Sequence, residues 1–370
     1  MRILMTTDTV GGVWTYTQEL VLGLLDADPA LKLLLLTVGA SSTADQHDWL
    51  REVRSRNTDR FQFQKFATPL EWEPNNAAVR VDEPQMLKAA REFAPDLLHS
   101  NQYCYGAMAV QCPRLVVAHS DVLSWHDAVH GLPPGPSSWL DRYKQLVHRG
   151  VAGTDALIAP TLWMLQAFGA EFGLPARARV IANGIALHPE LSRKRGLQAI
   201  TAGRLWDRGK NIAMLQTLEP PMPLLIAGQK RHNDATLAWQ ERPDVHLLGP
   251  VPHHKLLVLL LQSSLYVSTA VYEPFGLSAL EAARSGCALL SMDIPSMREV
   301  WGDAALYFRG AAELQALLER LATEPETLAA AQRRSVAASR KYTRRRMAGE
   351  YLSFYRELLA IPTERETAHA

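Results

Sequence analysis

The stretch YEPFGLSALEAARSG, beginning at Tyr272, sets two carboxylates, Glu273 and Glu281, eight positions apart around an apolar Phe-Gly-Leu. Pro274 suits a helix entry, where a missing N–H costs nothing, so the spacing predicts a helix starting near Phe275. The N–H groups of Phe275, Gly276 and Leu277 would then face an anion at the helix mouth, with Gly276 allowing close approach. Glu281 would lie deeper, about 7–8 Å further along the axis. Acids so far apart do not share a proton as adjacent carboxylates do. They suit a grip on hydroxyls at the two ends of one long ligand with a diphosphate at its middle, the shape of a sugar nucleotide.

A second constellation supports the anion. In AGRLWDRGKN (202–211), Arg204 ends a strand-like run and Lys210 follows in the next turn. Arginine offers phosphate a planar fork and lysine a mobile point charge, so the pair could neutralise a diphosphate with no metal. HDAVH (126–130) has the i, i+4 histidine spacing of a zinc site, with Asp127 where zinc proteases carry glutamate. No third ligand is evident and Gly131-Leu-Pro-Pro follows, so no metal is assigned; Trp125 and His126 are read instead as lining an acceptor side. DAD (26–28) precedes Pro29 and reads as the end of a helix.

These residues need a scaffold that delivers them from strand ends. Strand-length apolar runs alternate with helix-length segments: RILMTT (2–7), LKLLLLTVG (31–39), DLLHSN (96–101), RLVVAHS (114–120), ALIAPT (156–161) and RVIANG (179–184). A first helix, 14–26, follows Gly11-Gly12. The pattern restarts with LQAITAGRL (197–205), PLLIAGQ (223–229), VHLLGPV (245–251), SLYVSTA (264–270) and CALLSMD (287–293). Such alternation predicts parallel, doubly wound sheets, here two Rossmann-like α/β domains facing a central cleft, with ligands at the carboxyl ends of strands. The polar, proline-bearing 187–196 is the expected hinge. The expected division is 1–186, 187–345, and a C-terminal amphipathic helix and tail, 346–370, returning to the first domain.

Composition bounds the rest. At 370 residues the chain suits two domains. A net charge of +1 gives no bulk field toward nucleic acid. Cys104, Cys112 and Cys287 are scattered without a CxxC pair, as expected of reduced thiols in a cytoplasmic setting. The apolar start is too short for a signal peptide. LKLLLL (31–36) and KLLVLLL (255–261) are too short to span a bilayer and read as a buried strand and a buried helix. RRSVAASRKYTRRR (333–346) is basic; a solvated helix face is the plainer reading, with peripheral contact to an anionic membrane as the alternative.

EPFGLSALE, GRLWDRGKN, IANG (181–184), Gly11-Gly12 and IPSMREV (294–300) together resemble the retaining glycosyltransferases of family 4, with GT-B architecture, over nearly the whole chain. The resemblance implies that Arg204 and Lys210 bind the diphosphate of a nucleotide-sugar donor and that Glu281 takes the ribose. It implies that Glu273 contacts the donor sugar near Phe275, Gly276 and Leu277, and that the base rests by Gly249, Pro250 and Val251. Gly11 and Gly12 would form the tight first loop, His119 would reach the donor sugar, and Asn183 would sit in the interdomain turn. Transfer to a hydroxyl acceptor would retain configuration without cofactor, metal or protein nucleophile. The usual pattern puts the lysine five positions after the arginine; here it is six, with Asn211 next. Alternatives from other classes are a sugar-nucleotide epimerase on the same fold, a zinc hydrolase using His126 and His130, and a non-catalytic saccharide-binding protein. The acceptor, the donor base and the oligomeric state are not readable.

Overall fold

A computed structural model describes residues 1–39, 43–186, 195–232, 235–240 and 242–360. The expected hinge therefore lies, for its residues 187–194, outside the described residues. The chain forms two compact units: Met1–His126 with Leu132–Gly184 and the chain from Arg344 onward, and Asp127–Gly131 with Ile185–Thr343.

In chain order the first unit contains β1 (Arg2–Asp8), α1 (Gly12–Ala27), β2 (Lys32–Val38), α2 (Ala44–Arg56), β3 (Phe61–Lys65), α3 (Glu83–Phe93), β4 (Leu97–Ser100), β5 (Arg114–Val117), α4 (Val122–His130, whose residues from Asp127 are assigned to the second unit), α5 (Ser138–Gly153), β6 (Ala156–Ala159), α6 (Leu162–Phe172) and β7 (Ala178–Val180). Its seven strands lie in the order β3-β2-β1-β4-β5-β6-β7, all parallel. Ile3, Leu4 and Met5 are fully buried, as are Leu33 and Leu35, because helices cover both faces of such a sheet. The order reverses between β1 and β4, so the loops after these two strands diverge and leave a crevice at their carboxyl ends.

The second unit contains β8 (Gly196–Ala202), β9 (Leu224–Ala227), the short antiparallel pair β10 (Arg231–His232) and β11 (Ala235–Thr236), β12 (Val245–Gly249), α7 (His253–Gln262), β13 (Ser263–Ser268), α8 (Leu277–Arg284), β14 (Ala288–Met292), α9 (Pro295–Trp301), β15 (Ala305–Phe308), α10 (Ala311–Thr323) and α11 (Pro325–Ser339). Its main sheet runs β12-β9-β8-β13-β14-β15, reversing between β8 and β13. Its core gathers Leu224, Ile226, Leu265, Val267, Leu290 and Phe308 between the sheet and α10.

The last helix, α12 (Arg344–Leu359), lies in the first unit against α1. A Cβ on Gly23 of α1 would meet the Ala348 Cβ at 2.8 Å, so this glycine sets the helix–helix approach. Arg344 adds a two-pronged ion pair to Glu19, at 2.6 and 3.0 Å.

Several expectations need correction. The runs 96–101, 114–120, 156–161 and 179–184 all continue past their strands, which end at Ser100, Val117, Ala159 and Val180. Apolar or small residues carry on into the loops there, so hydropathy does not register the end of the ladder. A further strand, β15, follows CALLSMD and is not among the expected runs. α7 is not a buried helix, since Leu260 is its one buried residue and the residues from Leu256 to Gln262 are otherwise half-buried. α8 begins at Leu277 rather than near Phe275. The basic run 333–346 is not one helix face either. It spans the end of α11 and the start of α12, and Arg344 and Arg346 are committed to internal partners.

Candidate active site

At the second unit's reversal point, the loop after β8 carries both candidate cations. Arg204 donates from Nη2 to Asp207 Oδ2 at 2.7 Å, and the Gly209 N–H donates to Asp207 Oδ1 at 2.9 Å. The buried Asp207 thus organises the turn, and Asn211 closes it in the left-handed region, at φ 50°. Asparagine tolerates that conformation better than most residues. The loop after β13 is stitched to this turn: Thr269 Oγ1 donates to the Lys210 carbonyl at 2.7 Å, and Val271 N–H to that of Gly209 at 2.9 Å.

This stitching brings Lys210 Nζ onto Glu273 Oε2, with both side chains about four-fifths buried. The other carboxylate oxygen accepts the Gly276 N–H at 3.1 Å. That corrects one expectation, because this amide is capped from within rather than open at the helix mouth. Pro274 lies outside the helix, and Gly276 is its N-cap, at φ 87°. A Cβ there would be 3.2 Å from Met297 Sδ in α9 and also strained in its backbone. The same helix fixes Glu273 a third way, through Ser296 Oγ, which donates to the Glu273 carbonyl at 2.6 Å.

Glu281, in the second turn of α8, is buried, and its Oε1 takes His253 Nε2 at 2.7 Å. His253 opens α7, just after Gly249, Pro250 and Val251. The Gly228 N–H donates to the Gly249 carbonyl at 2.8 Å, tying this loop to the end of β9. The second unit thus gathers Arg204, Lys210 and Glu273 from the loops after β8 and β13, and Glu281 from helix α8. Sequence reasoning missed Asp207 and His253. Asp207 stood inside the quoted motif, three residues from Arg204; nothing in the sequence pointed His253 toward Glu281.

In the first unit, Gly11 is the N-cap of α1, at φ 58°, and Gly12 its first residue. Asp8, ending β1, accepts the Val10 N–H at 2.8 Å and Gln102 Nε2 at 3.2 Å, which joins the loops after β1 and β4. His119, two residues after β5, reaches Asn101 Oδ1 with Nε2 at 2.8 Å. His99 reaches the same oxygen at 3.3 Å and Tyr355 of α12 at 2.6 Å. Burial holds both imidazoles well below their ordinary value, at about 3, and the neighbouring His99 lowers His119 further. Asn183 is buried, and its carbonyl accepts from Arg346 at 3.3 Å.

Trp125 and His126 are half-buried on α4, and His126 Nδ1 bonds the Leu132 carbonyl at 2.7 Å. Among the described residues no group of three histidine, cysteine or acidic side chains could hold a metal ion. Nor is any helix among them long and apolar enough to cross a membrane. DAD ends α1, with Asp28 as its C-cap.

The sequence profile described as Glycosyltransferase Family 4 matches residues 10–188, and that described as Glycosyl transferases group 1 matches 209–336. A glycogen synthase of Mycobacterium tuberculosis (strain H37Rv) is 29% identical over 279 residues, covering 68% of this chain and 66% of the relative. A GDP-mannose:cellobiosyl-diphosphopolyprenol alpha-mannosyltransferase of Xanthomonas oryzae pv. oryzae is 28% identical over 224 residues, covering 53% and 57%. The matches thus span just under two thirds of the first relative's length and less of the second's. Among solved structures, sucrose-phosphate synthase from Thermosynechococcus elongatus superposes with a TM-score of 0.72 at 15% identity, over 97% of this chain and 99% of that one. Anabaena HepE in complex with UDP-glucose gives 0.72 at 16%, over 97% and 100%. Likeness at such low identity speaks for the fold, which is GT-B. With the two profiles matched in order over most of its length, the chain belongs to glycosyltransferase family 4.

Proposed function

We propose that the protein transfers a sugar from a nucleoside-diphosphate sugar to a hydroxyl acceptor, with retention of configuration and without a metal. The observation that carries this reading is the convergence of Arg204, Lys210, Glu273 and Glu281 on one reversal point, where doubly wound sheets bind nucleotides. Arg204 and Lys210 take the diphosphate, Glu281 the ribose, and Glu273 the sugar hydroxyls; the base lies by Gly249, Pro250 and Val251. From the first unit, the loop at Gly11 and Gly12 and the His119 ring serve the phosphate and the sugar.

In the reaction, the bond from the anomeric carbon to the diphosphate oxygen breaks and its electron pair leaves with the nucleotide. The acceptor oxygen bonds the same carbon on the same face, and its proton passes to the departing phosphate. Arg204 and Lys210 stabilise the charge that grows on the leaving group, which together with positioning is the protein's contribution. The named relatives, a glycogen synthase and a diphosphopolyprenol mannosyltransferase, support a saccharide or lipid-linked glycan as acceptor.

The test is a thermal-shift panel of UDP, GDP, ADP and dTDP with EDTA throughout. A nucleotide at ~100 times its Kd adds about 2.7 kcal/mol, enough for a shift of several degrees. One stabilising nucleotide then fixes the donor for an NMR assay of the product's anomeric configuration. Inversion, or activity that EDTA abolishes, would overturn the reading. A change in the donor's sugar without any acceptor would favour an epimerase instead.

A further inference from the structure

The first unit holds a chain of hydrogen bonds in which the direction at His119 is determined. Asn101 Nδ2 donates to the Thr6 carbonyl of β1 at 2.9 Å, so its Oδ1 is the atom turned toward the two histidines. That oxygen is only an acceptor. His119 Nε2, at 2.8 Å, must approach it as an N–H donor; His99 Nε2 lies between this oxygen at 3.3 Å and the Tyr16 hydroxyl at 3.4 Å. His99 Nδ1 meets the Tyr355 hydroxyl at 2.6 Å. Tyr16 packs edge-on against the His119 ring, with centroids 4.6 Å apart, and holds its plane. Burial keeps both rings neutral. The groups recorded around them are Tyr16, Asn101, Tyr351 and Tyr355, none of them a carboxylate or ammonium.

We propose that Asn101 is a positioning residue that fixes His119 in the Nε2–H tautomer, leaving Nδ1 as a lone-pair acceptor for a hydroxyl of the donor sugar. The sugar contact rests on the function proposed above; the tautomer does not. An imidazole with a fixed lone pair accepts a hydroxyl proton and cannot donate to one, so it selects how a sugar hydroxyl is turned.

The experiment is nitrogen-15 NMR of histidine-labelled, ligand-free protein at neutral pH, with His119 assigned by comparison with His119→Gln. The expected spectrum has one His119 tautomer, protonated on Nε2 and bare on Nδ1. A proton on Nδ1, or an even mixture, would overturn the proposal. Asn101→Asp keeps the acceptor oxygen but adds a negative charge, so His119 gains a second proton and Nδ1 becomes a donor. Affinity for the sugar nucleotide then falls about tenfold, the scale of one lost hydrogen bond to a buried group, while affinity for the free nucleoside diphosphate is kept. Equal loss of both, or a bare Nδ1 in the variant, would refute the role. If Asn101→Asp does not fold, the wild-type tautomer decides alone. An Nε2–H tautomer in a protein that binds no sugar nucleotide would sink the donor reading and leave the tautomer standing.

Discussion

Glu273→Gln should tighten binding of the free nucleoside diphosphate while it damages transfer. Lys210 enters the ligand-free state already paired with Glu273, in a setting about four-fifths removed from solvent. To meet a phosphate, its ammonium must leave or share that carboxylate. Pairs in this range are worth about 1 kcal/mol, since the bare Coulomb energy at short range is several times larger but is mostly offset by desolvation. Glutamine removes the competing charge and keeps an oxygen for the Gly276 N–H, now accepted at 3.1 Å. It also removes a negative charge beside the incoming anion, an effect of the same sign. Calorimetry in EDTA should therefore give a Kd for the nucleoside diphosphate about fivefold lower than wild type, the factor that 1 kcal/mol represents. Transfer from the sugar nucleotide should fall by more than about tenfold, because a charge-assisted bond to the sugar is lost. An unchanged or weaker nucleotide affinity would show that Lys210 does not exchange Glu273 for phosphate.

Arg204→Ala should weaken nucleoside-diphosphate binding by about 1.5–3 kcal/mol, the scale of a hydrogen bond to a charged group; equal affinity in calorimetry would remove Arg204 from the site. Glu281→Ala should weaken nucleotide binding more than binding of a free sugar, and titrations showing equal losses would end its ribose role. His99 is fully buried and its pKa is lowered to about 3 from 6.5, so the unfolded chain binds the proton first and stability must fall as pH drops through 6.5 toward 3. Between pH 7 and 5 that amounts to about 2 kcal/mol for this one group, measurable as the difference in urea-unfolding energies that wild type shows and His99→Gln lacks.

The alternation of buried runs made the two parallel sheets legible, because a strand covered on both faces must be apolar along its length. The motif around Glu273 and Glu281 was legible for a different reason: charge amid apolar residues has to be accounted for chemically. What sequence did not disclose is which partner each charge takes. Asp207 on Arg204, His253 on Glu281 and Asn101 on His119 are pairings made by loops that meet at a sheet reversal, and no periodicity links residues 253 and 281. The edge strand β3 escaped notice because FQFQK alternates and buries Phe61 alone. The open amides expected at the helix mouth were an error of two residues: with α8 starting at Leu277, Glu273 folds back to cap Gly276 itself.

Those pairings bear on how the site works as well as how it is built. Each group assigned to the donor is already satisfied: Arg204 by Asp207, Lys210 by Glu273, Glu281 by His253. Binding therefore exchanges partners rather than filling vacant charges, and the net gain per contact is smaller than for an unpaired ion. Arg204 is the exception in kind. One of its five N–H donors is engaged by Asp207, so it can hold its carboxylate and a phosphate together, whereas Lys210 must divide a single ammonium between two anions. Arg204 should then govern affinity for both donor and product alike. Lys210 should matter more as the leaving phosphate gains charge, when the exchange away from Glu273 becomes favourable. Lowering kcat in Lys210→Ala more than nucleotide affinity, with the reverse order in Arg204→Ala, would separate the two roles; parallel losses in both variants would refute the division.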